Sequence, residues 1–213
     1  MRLSLALAAC LGSLSAIAVA IPAHAQVQGD RPGLTYREVE RGPWVGSSFG
    51  AVYYFNLPGE GAPSGVGSLF GLEAGYDVSK FLQLGVVIWG QSVGAPSTYR
   101  AITDDALNPK RARGDFQTMM AGASLRLAFL RFQDDNGQDR TFVYARAAGG
   151  PTLSRPIGIV DEQGFFAAGG LGVEYFTRLR HFSVGIELDG MALLGDAGNA
   201  VGMAVLPHAK YTF

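Results

Sequence analysis

The residues of this chain able to do chemistry fall into four sets. Histidine occurs at His24, His181 and His208, and His181 is followed two positions on by Ser183. A base that close to a hydroxyl is the minimum for acyl transfer, which also needs a group to orient the base and room for a substrate. A second set is ionic. Carboxylates at Glu73, Asp77, Glu174, Glu187 and Asp189 and cations at Arg126, Arg146 and Lys210 each interrupt an otherwise apolar stretch. A third, Lys110, Arg111 and Arg113, packs positive charge tightly enough to grip phosphate groups. The fourth, Asp134-Asp135-Asn136-Gly137-Gln138-Asp139, gathers oxygen ligands around a glycine. It lacks the length and the terminal bidentate glutamate of an EF-hand loop. Its Asn-Gly pair reads as a hairpin turn, so no metal is expected there. Gly169-Gly170-Leu171-Gly172 is rich enough in glycine to suggest a phosphate loop, but it lies inside a strand pattern with no helix after it.

The elements that position these groups are strands. In a strand successive side chains point to opposite faces, so alternation with period two marks one apolar and one polar face. The last thirteen residues show it throughout. Val201, Met203, Val205, Pro207, Ala209, Tyr211 and Phe213 share one side, and Ala200, Gly202, Ala204, Leu206, His208, Lys210 and Thr212 the other. Seven further segments alternate: Pro43 to Phe55, Val66 to Val78, Phe81 to Gln91, Asp115 to Leu130, Arg140 to Gly149, Gly164 to Thr177 and His181 to Met191. Each is long enough for a tilted strand of about 9–11 residues to cross a bilayer. Beyond the amino terminus no apolar run reaches the ~18 residues of a spanning helix.

This pattern predicts an all-β chain, an eight-stranded antiparallel transmembrane barrel with lipid outside and a packed lumen inside. The connections agree. Ser79-Lys80 and Arg178 to Arg180 are very short, whereas Asn56 to Gly65, Ser92 to Gly114, Gly150 to Gln163 and Ala192 to Asn199 are longer. Short periplasmic turns alternating with long extracellular loops, and an even strand count, put both chain ends in the periplasm. All eight residues of the ionic set then face inward. An eight-stranded barrel is only wide enough for its own side chains, so these charges must pair with one another or with trapped water. The expectation is a polar network that fixes the barrel, with no catalytic residue and no cofactor.

The amino terminus sets the compartment. Arg2, the apolar run Leu3 to Ile21 and Ala23-His24-Ala25 form a secretory signal over residues 1–25. Leu7-Ala8-Ala9-Cys10 also fits a lipobox, although that cysteine falls early in the apolar run. With the signal removed no cysteine remains, which excludes disulfide and thiol chemistry. Residues 26–41 are a periplasmic tail, either a lead-in to the first strand or a segment that docks on a partner, and residues 42–213 are the barrel. The formal charge of −1 for the whole chain argues against a nucleic-acid partner, which would need a basic face.

Through its strand spacing and its Lys210-Tyr211-Thr212-Phe213 end, the chain resembles the small OmpA-like and OmpX-like barrels. The resemblance implies that Tyr211 and Phe213 form the signal read by the barrel insertion machinery, and that outer-membrane lipid surrounds the wall. Gly42-Pro43-Trp44-Val45-Gly46, Asn56-Leu57-Pro58-Gly59 and Gly75-Tyr76-Asp77-Val78-Ser79-Lys80 resemble the contact-stimulated gliding-motility barrels of myxobacteria. That likeness implies a non-enzymatic component of an envelope complex with protein partners. Lipid A deacylases and palmitoyl transferases are barrel enzymes that use histidine with serine near the outer rim. Here His181 and His208 are both expected at the opposite end. Alternative readings are a surface-adhesion barrel, a lipopolysaccharide-binding barrel using Lys110, Arg111 and Arg113, a narrow channel, and a lipid A-modifying barrel enzyme.

Overall fold

A computed structural model describes residues 41–57, 64–94, 116–155, 162–179, 181–196 and 198–213, all within one compact unit. The chain forms eight strands: β1 (Pro43–Asn56), β2 (Gly65–Asp77), β3 (Leu82–Val93), β4 (Phe116–Gln133), β5 (Asp139–Arg155), β6 (Gln163–Phe176), β7 (Phe182–Leu194) and β8 (Ala200–Thr212). Each pairs antiparallel with the next, and β8 pairs with β1 to close the barrel. Among the described residues there is no helix. Closure leaves no sheet edge along the wall, so the backbone groups of the strands bond to one another.

Pro43 enters and Thr212 leaves at the same end, called here the terminal end. The short turns 78–81, 134–138 and 177–181 lie there too, and the longer connections lie at the opposite, loop end. Burial alternates along the strands as the sequence pattern requires. Phe49, Phe70, Val86, Ile88, Leu171 and Val205 are exposed on the outside, while their neighbours fill the lumen. Three strands run three or more residues past expectation, one of them β7, which continues beyond Met191 to Leu194. β5 continues to Arg155, six residues past its expected end at Gly149, although Gly150-Pro151 reads as a break. Pro151 keeps its place opposite Phe165 of β6, and the β4–β5 ladder skips from Met120↔Thr152 to Ala123↔Gly149 beside it. The interruption beside the proline thus falls on the β4 side, and the β5–β6 register runs through it unbroken. β4 runs three residues past its expected end to Gln133, with register shifts at Ala128/Leu130 and Phe132/Gln133.

Glycines on one strand lie flat under rings from its neighbours. A Cβ on Gly75 would enter the Trp44 ring, one on Gly71 the Trp89 ring, one on Gly172 the Tyr144 ring and one on Gly185 the His208 ring. Four bulky rings thus fit inside a narrow barrel because the wall opposite each has no side chain.

Candidate functional site

The lumen divides into two layers. Towards the loop end it is apolar, built from Tyr54, Leu57, Leu69, Val93, Phe116, Phe166, Leu193 and Leu206 among others. Its polar groups are uncharged: Tyr54 donates to Gln91 Oε1 at 2.9 Å, Thr118 Oγ1 and Ser154 Oγ lie 3.0 Å apart, and Gln91 Nε2 and Trp89 Nε1 are buried without a hydrogen-bond partner. Towards the terminal end it is ionic.

Two arginines organise the ionic layer. Arg126 Nη2 lies 2.8 Å from Glu73 Oε2 and 2.9 Å from Glu187 Oε1. Arg146 bridges three acids, with Nη1 at 2.5 Å from Glu187 and 3.1 Å from Asp189, and Nη2 on Glu73. Tyr144 donates its hydroxyl to Glu187 Oε1 at 2.6 Å. The guanidiniums also stack on rings, Arg126 over Trp44 and Tyr144, and Arg146 over Trp89 at 4.7 Å. Nearer the mouth Lys210 Nζ lies 2.8 Å from Glu174 and 3.9 Å from Asp77, and Ser183 donates to Glu174 at 2.6 Å. All eight residues of the ionic set are thus buried together in one lumen. β2, β4, β5, β6, β7 and β8 each supply at least one of them, so the network ties strands from around the whole circumference.

Five carboxylates face three cations in this layer. At the mouth Arg41 packs over the Phe142 ring. Burial there lowers its pKa from the ordinary arginine value, while Asp77 and Glu174 pull it back up. Both Asp77 oxygens and Asp189 Oδ1 are buried without a hydrogen-bond partner in the protein, as are both His208 nitrogens and Trp44 Nε1. Two cavities of about 10 Å³ lie in this layer, one lined by Trp44, Ser48, His208 and Lys210, the other opening at the mouth beside Arg41 and Glu174. Each has room for about one water.

The His181–Ser183 pairing that the sequence permits does not form. Ser183 is engaged by Glu174, and His181 Nδ1 lies 2.9 Å from the Thr212 carbonyl with its ring stacked on Tyr211. His208 is a lumen residue set edge-on to Tyr144. At the carboxyl end Phe213 donates its N–H to Pro43 O at 2.9 Å, and its exposed ring packs edge-on against Tyr211. The Asp134 to Asp139 stretch is a turn. Asp134 accepts from the N–H groups of Asn136 and Gln138 and from Arg140 Nε, which uses its oxygens internally. Lys110, Arg111 and Arg113, the tail 26–40 and residues 1–25 lie outside the described residues.

Sequence reasoning missed Tyr144, Trp89 and His208 as members of the lumen network. Strand parity placed Tyr144 and His208 inward, but parity does not say what lies opposite.

A closed eight-stranded antiparallel barrel with an apolar outer face and a filled, part-ionic lumen is the architecture of a small outer-membrane β-barrel protein. Neisserial surface protein A matches with a TM-score of 0.57 at 14% identity, over 80% of this chain and 97% of that one. OprG of Pseudomonas aeruginosa matches at 0.47 and 13%, over 83% and 98%. Ail, the attachment invasion locus protein of Yersinia pestis, matches at 0.43 and 15%, over 81% and 100%. No family model and no curated protein matches the chain. The resemblance to gliding-motility barrels finds no support in these comparisons.

Proposed function

We propose that this chain is a sealed, non-enzymatic barrel of a Gram-negative outer membrane, with both termini in the periplasm, serving as a structural or interaction component of the envelope. One observation carries the reading: the lumen is filled along its length by the protein's own side chains, with an apolar layer stacked on an ionic one. Ions crossing it would have to displace both layers, so function falls to the surfaces at the two ends. Ser183 is bonded to Glu174 and not to His181, and His208 makes no hydrogen bond to the Ser48 hydroxyl that faces it across β1 and β8, so neither histidine is engaged with a nucleophile. A motility role would be one instance of such a component, and it rests on the sequence resemblance alone.

The test has two arms. Purified barrel in planar bilayers is expected to give no steady conductance, and well-resolved unitary currents would overturn the sealed reading. Tagged barrel captured from cross-linked envelopes is expected to bring defined envelope proteins with it. Recovery of lipid and insertion factors alone would remove the interaction role.

A further inference from the structure

The wall is not equally continuous all the way round. Among the described residues, six of its eight seams pair without a break: β1–β2, β2–β3, β3–β4, β5–β6, β6–β7 and β7–β8. Every interruption and register shift falls in the other two, β1–β8 and β4–β5. These two seams lie four strands apart in either direction, on opposite sides of the barrel. They divide it into two unbroken four-stranded sheets, β1–β4 and β5–β8.

A proline sits at one break in each. In β1–β8 the pairing passes from Ser48↔His208 to Ala51↔Val205, skipping Phe49 opposite Pro207. In β4–β5 it passes from Met120↔Thr152 to Ala123↔Gly149, skipping Ala121 opposite Pro151. Along an antiparallel strand successive residues turn their N–H and C=O to alternate neighbours. The Phe213 N–H donates to Pro43 O, so the odd-numbered residues of β1 and β8 face each other. Pro207 therefore points its nitrogen at β1 and, having no N–H, leaves the Phe49 carbonyl without its ladder donor. Such a carbonyl is costly inside a membrane, and the wall is weak beside it.

The two seams are not equivalent. β4 and β5 are consecutive and joined by the 134–138 turn, and the Phe166 ring lies against Gly122 inside their break. β8 and β1 are not consecutive in the chain. One step from their break, Ser48 and His208 line a cavity with the Ser48 hydroxyl and both His208 nitrogens unpaired. The ionic layer is divided along the same line. Arg126–Glu187, Arg146–Glu73 and Lys210–Asp77 cross from one sheet to the other. Each cation also has a partner in its own sheet: Arg126 has Glu73, Arg146 has Glu187 and Asp189, and Lys210 has Glu174. Parting the sheets leaves no cation without a carboxylate.

We propose that the barrel opens sideways: its two sheets part along β1–β8, hinge on β4–β5, and are held shut by the three ion pairs that cross between them. The opening presents the ionic layer to the bilayer. A barrel sealed from end to end can part in this way without conducting along its axis.

The strands at the seam carry their own control. Ser47, Phe49, Ala51 and Val205 turn their amides to the closing seam, whereas Ser48, Gly50, Val52 and Ala204, in the same strands, turn theirs to β2 or β7. Residue-resolved amide hydrogen exchange of the purified full chain in detergent micelles is expected to run at least about tenfold faster in the first set. Glu73→Gln, which weakens one crossing pair, should speed all four seam amides further and leave the control set unchanged. Pro207→Val, which restores the missing donor, should slow them. Equal rates in the two sets would overturn the proposal. So would fast exchange confined to Phe49 and indifferent to Glu73→Gln, since the break would then be a local defect and not a seam that opens.

Discussion

The two layers of the lumen solve the same packing problem in opposite ways. The loop-end layer is held by shape. Tyr54, Phe116, Phe166 and Leu193 are fully or almost fully buried and touch apolar neighbours, and their contribution is spread over many weak contacts. The terminal-end layer is held by charge, and there a few residues carry several partners each. Arg146 alone serves Glu73, Glu187 and Asp189. Loss of one side chain should therefore be local in the first layer and collective in the second. A buried ionic network is weak evidence for stability, because its desolvation cost offsets much of its attraction. What it provides here is register: every pair joins different strands, and a slip by one residue would turn its members out into lipid.

The sharpest way to break the contrast is at Arg146. Arg146→Leu leaves three buried carboxylates undercompensated and is expected to cost about 3–5 kcal/mol, read as a lowered urea midpoint for the refolded barrel. Leu193→Ala in the apolar layer is expected to cost about 3 kcal/mol by leaving a cavity. In double-mutant cycles Arg146 and Glu187 should be strongly non-additive, whereas Leu193→Ala and Leu69→Ala should come closer to adding. Additivity in the ionic layer would erase the distinction. A smaller effect sits within the apolar layer. Thr118→Val alone strands the Ser154 hydroxyl and is expected to cost about 1–2 kcal/mol, while Thr118→Val with Ser154→Ala should recover most of it. The smallest concerns the 134–138 turn. The N–H of Gln138, then Arg140 and the N–H of Asn136, lower the Asp134 pKa from its ordinary carboxylate value. A carboxylate depressed in the folded state adds stability that is present above its ordinary pKa of about 3.9 and is lost as pH falls through the depressed value. Asp134→Asn should therefore flatten the acid limb of a stability–pH profile, with little change at neutral pH.

The wall was far more legible in the sequence than the arrangement inside it. All eight strands could be placed because period two is a property of each strand alone, and because Ser79-Lys80 and Asn136-Gly137 punctuate it. The inward set followed by parity, which is how Glu73, Asp77, Arg126, Arg146, Glu174, Glu187, Asp189 and Lys210 came to be grouped. The layering was not legible. Which inward residues share a level depends on the offset between neighbouring strands, as in Gly172↔Glu187 and Glu187↔Leu206, and no single strand encodes that offset. For the same reason the lumen was expected to be polar throughout, although Val87 and Trp89 share the inward face of β3 with Gln83 and Gln91. The overlong β4 was missed because its last residues alternate poorly and are exposed on both faces, so nothing in their pattern distinguishes strand from turn.

The rings lying on bare glycine carry a consequence for how this barrel can change over generations. Tyr144 and Gly172, or Trp89 and Gly71, occupy one volume between two strands. A methyl gained at the glycine is excluded while the ring remains, and a ring lost over the glycine leaves a void on both strands. Neither partner can drift alone. Each pair should be inherited as a unit, so that among descendants of this chain the interior varies in linked steps while the lipid-facing surface varies one residue at a time.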